Sequence, residues 1–106
     1  MKISAMVLSA SFIVLLMCSS TCAADDIARG KALFSDTALG NNTSGKSCNT
    51  CHADGSGLEK AAKKTPAAIA KVVNQCIEKA LKGKAIDPGS QDMKDIVAYI
   101  KSLKAK

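Results

Sequence analysis

The chain has no tryptophan, two phenylalanines and one tyrosine among its 106 residues. With so few large rings, a chain of this size is short of the apolar bulk that fills a core, and small domains are already marginal in the surface they bury. The same scarcity argues against nucleic-acid binding, because the basic residues are not interleaved with aromatics that would stack on bases. Nothing in the chain alternates like a strand and no internal repeat appears, so the expectation is one all-α domain. There is a single histidine, His52, and beyond the N-terminal apolar segment that carries Cys18 and Cys22 no second pair of cysteines or histidines completes a four-ligand zinc site. No apolar run reaches the roughly 20 residues needed to span a bilayer.

What is present begins at the N-terminus. Lys2 is followed by an almost unbroken apolar run from Ile3 to Met17, then by small residues at Ser19, Ser20, Cys22, Ala23 and Ala24 and the acidic pair Asp25-Asp26. That order predicts a secretory signal peptide over residues 1–24 and a domain over 25–106. A retained anchor helix fits less well because the run is short. Lipid attachment at Cys18 or Cys22 also fits less well, because Met17 and Thr21 are poor neighbours for it. Cleavage after Ala24 leaves 82 residues with 14 Lys and Arg against 9 acids, a net charge of +5, and only Phe34 and Tyr99 as aromatics. Three cysteines stay behind, Cys48, Cys51 and Cys76. The excess of lysine gives solubility and a positive surface that steers acidic partners.

The stretch Cys48-Asn49-Thr50-Cys51-His52 accounts for two of those thiols. Two cysteines three positions apart, with an imidazole directly after the second, form the pattern of covalent c-type haem attachment. The thiols reach the two vinyl carbons of one porphyrin edge, and His52 then lies where it serves as proximal iron ligand. A redox dithiol or half of a zinc site also begins with C-x-x-C, but the first does not require His52 and the second lacks further ligands. One haem c is thus the expected cofactor, and it supplies the core the aromatics do not. Export agrees with it, since this haem is attached outside the cytoplasm, which predicts the periplasm of a bacterium and no stable membrane anchor once the signal is removed.

Along the chain, residues 25–34 read as a first helix with acids in its opening turn, and Gly30 and Phe34 share one face. A glycine there costs about 1 kcal/mol against alanine and suggests close approach of another helix. Residues 35–47 form a polar loop, and Asp54-Gly55-Ser56-Gly57 a turn. Thr65 as N-cap and Pro66 at the first position open a helix to about Leu81, with Gly83 as its stop. Its apolar stripe is Ile69, Val72, Val73, Cys76 and Ala80, which turns Cys76 inward. After the Asp87-Pro88-Gly89 turn, Ser90 caps a last helix to about Leu103. Its stripe is Met93, Ile96, Val97, Ile100 and Leu103, with Lys94, Asp95, Lys101 and Lys104 toward water.

Three or four helices around one C-x-x-C-H motif resemble a class I monohaem cytochrome c over residues 25–106. In that family the first and last helices cross through a glycine and an aromatic, matched here by Gly30 and Phe34, against residues matched by Ile96 and Tyr99. Gly30-Lys31-Ala32-Leu33-Phe34, Leu39-Gly40 and Lys46-Ser47-Cys48 also look like the haem-motif approach of bacterial cytochrome c peroxidases. Those enzymes need two haem motifs and this chain has one. A narrower resemblance covers residues 73–103. Asn74 to Ile86, Ser90 to Met93 and Ala98-Tyr99-Ile100 are similar to haem domains of thiosulfate-oxidising cytochromes and thiosulfate dehydrogenases. That resemblance implies Cys76 as distal ligand of the iron. Met93 is the other distal candidate, although class I proteins usually take their ligand methionine from a loop before the last helix. A buried cysteine or methionine is also ordinary core packing. The resemblance implies a soluble periplasmic carrier of single electrons, more a carrier than an enzyme, meeting other redox proteins by transient, partly electrostatic contact. The alternative it leaves open is a haem-thiolate component of a sulfur-compound oxidising system.

Overall fold

In the computed structural model, which describes residues 26–103, the first helix, α1, spans Ile27–Phe34. The expected signal peptide over residues 1–24 lies outside the described residues. Asp26 sets the start of α1, because its carboxylate accepts the Arg29 backbone N–H at 3.0 Å and so satisfies a donor that has no partner within the helix. The acidic opening expected from residue 25 is thus a cap at residue 26. After α1 come a short 3₁₀ turn at Leu39–Asn41, the one-turn helix α2 (Cys48–Cys51), 3₁₀ turns at Ala53–Gly55 and Ala61–Lys63, then α3 (Pro66–Lys79) and α4 (Gln91–Ser102). The described residues are helix and loop throughout, as the absence of alternating patterns foretold.

The frame is the crossing of α1 over α4. A Cβ added to Gly30 would lie 1.9 Å from the Asp95 carbonyl oxygen and 3.0 Å from the Tyr99 Cβ, so only glycine lets the backbones come this close. One turn on, Phe34 meets Tyr99 edge to face, with ring centroids 5.2 Å apart and planes at 64°. The α4 stripe read from the sequence, Met93, Ile96, Val97, Ile100 and Leu103, is buried in full.

Asp95 corrects the sequence reading. Expected to face water, it is 1 % exposed. It lies on the side of α4 that α1 covers, where its carboxylate accepts the Asp26 N–H at 2.9 Å, Arg29 Nη1 at 2.7 Å and Gln91 Nε2 at 2.7 Å. Arg29 also pairs with Asp92. A buried carboxylate with this many donors is tolerated because its lone pairs are satisfied. Burial pushes the Asp95 pKa up, but the Asp26 N–H, Arg29 and Gln91 together hold it below the ordinary value.

The ends of α3 bring two more corrections. Thr65 caps it as expected, accepting the Ala68 N–H at 3.2 Å. At the other end the helix stops at Lys79, and the left-handed residue that turns the chain away is Lys82, with φ +58°, not Gly83. Gly83 is needed for proximity: a Cβ there would lie 2.8 Å from the Gly40 carbonyl oxygen. Beyond it, Asn74 fixes the descending loop by pairing with both backbone groups of Ile86, Nδ2 donating to the carbonyl and Oδ1 accepting the N–H, each at 2.9 Å. The face of α3 in the core is also rotated from the expected stripe, with Ile69, Ala70, Val73 and Ile77 buried. Val72 and Cys76 are half-buried and Ala80 is exposed.

Candidate functional site

Val72 and Cys76 of α3 and Ala80 just past its end border a cavity whose opposite wall carries Cys48, Cys51 and His52. It encloses about 550 Å³ of atom-free space, part of it open to solvent. Phe34, Leu58, Ile69, Leu81 and Ile100 complete an almost wholly apolar lining.

The local sequence explains how α2 presents its side chains. Ser47 precedes the helix in extended conformation, and its backbone N–H donates to Thr50 Oγ1 at 2.9 Å while the two hydroxyl oxygens lie 3.4 Å apart, a capping box around a single turn. The Cys48-to-Cys51 spacing places both thiols on one side of that turn. At His52 the helix ends, with φ −125° and ψ 68°, and its N–H donates to the Cys48 carbonyl at 2.9 Å. The chain then reverses through three left-handed residues, Asp54 (φ +52°), Gly55 (φ +79°) and Gly57 (φ +87°). Asn49, one of the two variable positions of the motif, secures the reversal by accepting the Asp54 N–H at 2.9 Å.

That reversal returns the Ser56 carbonyl to within 2.9 Å of His52 Nδ1. A carbonyl oxygen only accepts, so Nδ1 carries the proton and Nε2 keeps its lone pair. A backbone acceptor at Nδ1 orients an imidazole and fixes its tautomer, the arrangement usual for histidines that ligate metals.

Of the two distal candidates, only Cys76 lines the cavity with His52. Met93 is fully buried in the core of α4 and is not among the lining residues, because its position on the stripe directs it toward Ala70 and Val97 of a separate groove. The three thiols do not converge on a point: among the described residues no group of three or more His, Cys, Asp or Glu side chains is placed to hold a metal ion. Burial pushes the Cys48 thiol up to about 11, reinforced by charge on Cys76 and Cys51. Cys76 is raised by burial and by Cys51. In the bare polypeptide these are thiols, not thiolates, at neutral pH.

The donor set and the lining fit a flat, apolar, iron-bearing group held at one edge. Two thiols and a tautomer-fixed imidazole occupy one wall, a third thiol the facing helix, and the polar atoms are few. The sequence did not single out Leu58, Ala61 or Leu81 as part of this wall. They lie in or beside irregular segments where periodicity carries no information.

Comparison with protein-family models, with curated proteins and with solved structures returned no match to this chain.

Proposed function

We propose that this chain is a monohaem c-type cytochrome of the class I kind, carrying single electrons between redox proteins in the bacterial periplasm. The observation that carries the reading is the Nδ1 hydrogen bond of His52 to Ser56, which leaves Nε2 free in an apolar cavity shared with both thiols of the motif. The haem, when bound, supplies an iron that takes up and gives back one electron. Cys48 and Cys51 would hold it as thioethers, His52 Nε2 would be the proximal iron ligand, and Cys76 the distal one.

Every other part of the task falls to the chain. Phe34, Ile69, Leu81 and Ile100 keep water from the interior of the site, which sets the local polarity and with it the potential. The Ser56 carbonyl holds the His52 proton at Nδ1. The exposed lysines supply the positive surface for short-lived encounters with acidic partners. Among the described residues no helix is long and apolar enough to cross a membrane.

The dithiol alternative needs a lowered thiol pKa, and burial drives Cys48 the other way. A structural zinc needs four converging ligands, a convergence absent from the described residues. The placement of Cys76 does favour a second reading, a haem-thiolate component of thiosulfate oxidation. Incubation with thiosulfate and an artificial electron acceptor separates the two, since a pure carrier shows no turnover. The primary test is export in a host that attaches c-type haem. A Soret band and the mass of one covalent haem are expected, both lost in Cys48→Ala/Cys51→Ala, and a bare polypeptide mass from the unaltered chain would sink the proposal.

A further inference from the structure

A second, shallower groove runs between α3 and α4 and shares no lining residue with the cavity. Its floor is buried and apolar, made by Ala70, Met93 and Val97. The first turn of α3, with Pro66 and Ala67, forms one wall, and the Pro88-Gly89 turn closes one end. Along the α4 edge stand Lys94, Ala98 and Lys101. The two lysines are seven positions apart, so they project from the same side of α4 about two turns, or 10.5 Å, from each other.

Charge in this groove has one sign. No carboxylate lines it. Three acids adjoin lining residues in sequence and all are engaged elsewhere: Asp87 Oδ1 accepts the Gly89 N–H at 2.8 Å within its own loop, and Asp92 and Asp95 pair with Arg29 of α1. Lys101 is already positioned, since its Nζ donates to the Lys64 carbonyl at 3.1 Å. The N-terminal turn of α3 adds the positive end of a helix dipole.

We infer that this groove receives an amphipathic helix of a partner protein, one that presents small apolar residues to the floor and carboxylates two turns apart to Lys94 and Lys101. Helix-in-groove recognition uses this combination of an apolar stripe and flanking charge. The small side chains of Ala67, Ala70 and Ala98 let a helix backbone approach closely. A second copy of the chain is a poor occupant, because two surfaces rich in lysine repel. A membrane is a poor one too, because the apolar atoms are recessed, whereas bilayer insertion needs protruding ones. The inference does not depend on the haem reading and goes beyond it.

The test is an NMR titration of the ¹⁵N-labelled exported protein. The probe is a stapled helical peptide carrying alanine and leucine along one stripe and two glutamates seven positions apart beside it. Amide shifts are expected at Ala67, Ala70, Lys94, Val97, Ala98 and Lys101. Lys94→Glu/Lys101→Glu is expected to weaken binding by about 10-fold, and a peptide with lysines in place of the glutamates to regain it. Ala67→Trp, an exposed position that tolerates bulk, is expected to fill the groove and abolish binding. Absent shifts, shifts centred on residues 48–52, or undiminished binding to the charge-reversed variant would overturn the inference. So would dimerisation through these residues, or their perturbation by phosphatidylglycerol vesicles in place of the peptide.

Discussion

Two of the places where helices face each other in this molecule are built on opposite plans. Where α1 crosses α4, Gly30 brings the backbones into contact, two rings meet edge to face, and the buried Asp95 carboxylate finds three donors. Where α2 faces α3, the side chains stand apart around about 550 Å³, and among the described residues no three ligating side chains converge. The first junction is complete in itself. On the haem reading proposed above the second is completed by a guest, which a chain with so few aromatics is expected to need to hold α2 and α3 in place.

The sharpest way to break that contrast is to deny the guest its attachment. Cys48→Ser/Cys51→Ser is expected to lower the melting temperature by about 20 °C or more, the equivalent of several kcal/mol in a domain of this size. Hydrogen exchange should then show α3 amides losing protection while those of α1 and α4 keep theirs. Equal loss in all helices would show that the crossing has no independent stability and that the contrast is wrong.

At the complete junction, damage should be purely structural. Gly30→Ala sets a Cβ against the Asp95 carbonyl oxygen, and neither backbone can yield alone. A loss of about 3 kcal/mol is expected in chemical denaturation, despite alanine's better helix propensity, with the visible spectrum of the folded fraction unchanged. Asp95→Asn is expected to cost less, about 1–3 kcal/mol, through the mismatch of donors left around it. Its signature is acid dependence. The Asp95 pKa is lowered in the folded state, so its contribution is fully present above the unfolded value near 4 and is lost as the pH falls through the folded value. Melting temperatures measured from pH 5 down to pH 2 should therefore fall less steeply in Asp95→Asn than in the parent chain.

The same contrast decides what could be read from the sequence. The α4 stripe was legible in full because one face of that helix is buried along its whole length. The stripe on α3 ran Ile69, Val72, Val73, Cys76 and Ala80, and every one of these residues borders the cavity, although only Ile69 and Val73 are buried. Periodicity reports which side is apolar, and α3 has a second apolar strip beside the first, with Ala70 and Ile77, that one period cannot separate. Asp95 escaped because a carboxylate reads as surface until its donors are known, and two of them, Asp26 and Arg29, lie more than sixty positions away. Gly83 was assigned a turn that Lys82 makes, because a glycine required for proximity looks in sequence like one required for φ. The motif itself was legible, because it is a spacing of residue types within five consecutive positions.

The smallest expected change in stability carries the most information about the incomplete junction. Cys76 is half-buried at the cavity wall, so in the haem-free Cys48→Ser/Cys51→Ser chain Cys76→Ala removes one sulfur from a space already open and should cost less than about 1 kcal/mol. Met93→Ala empties a fully buried site and should cost about 2–4 kcal/mol. Spectroscopy should rank them in the reverse order. If Cys76 is the distal ligand, the electron paramagnetic resonance of the oxidised protein is that of low-spin iron with a thiolate, and it changes in Cys76→Ala while Met93→Ala leaves it intact. A red-edge thioether band that disappears in Met93→Ala and survives Cys76→Ala would move the ligand into the packed core. The partition between a finished crossing and an unfinished cavity would then be drawn in the wrong place.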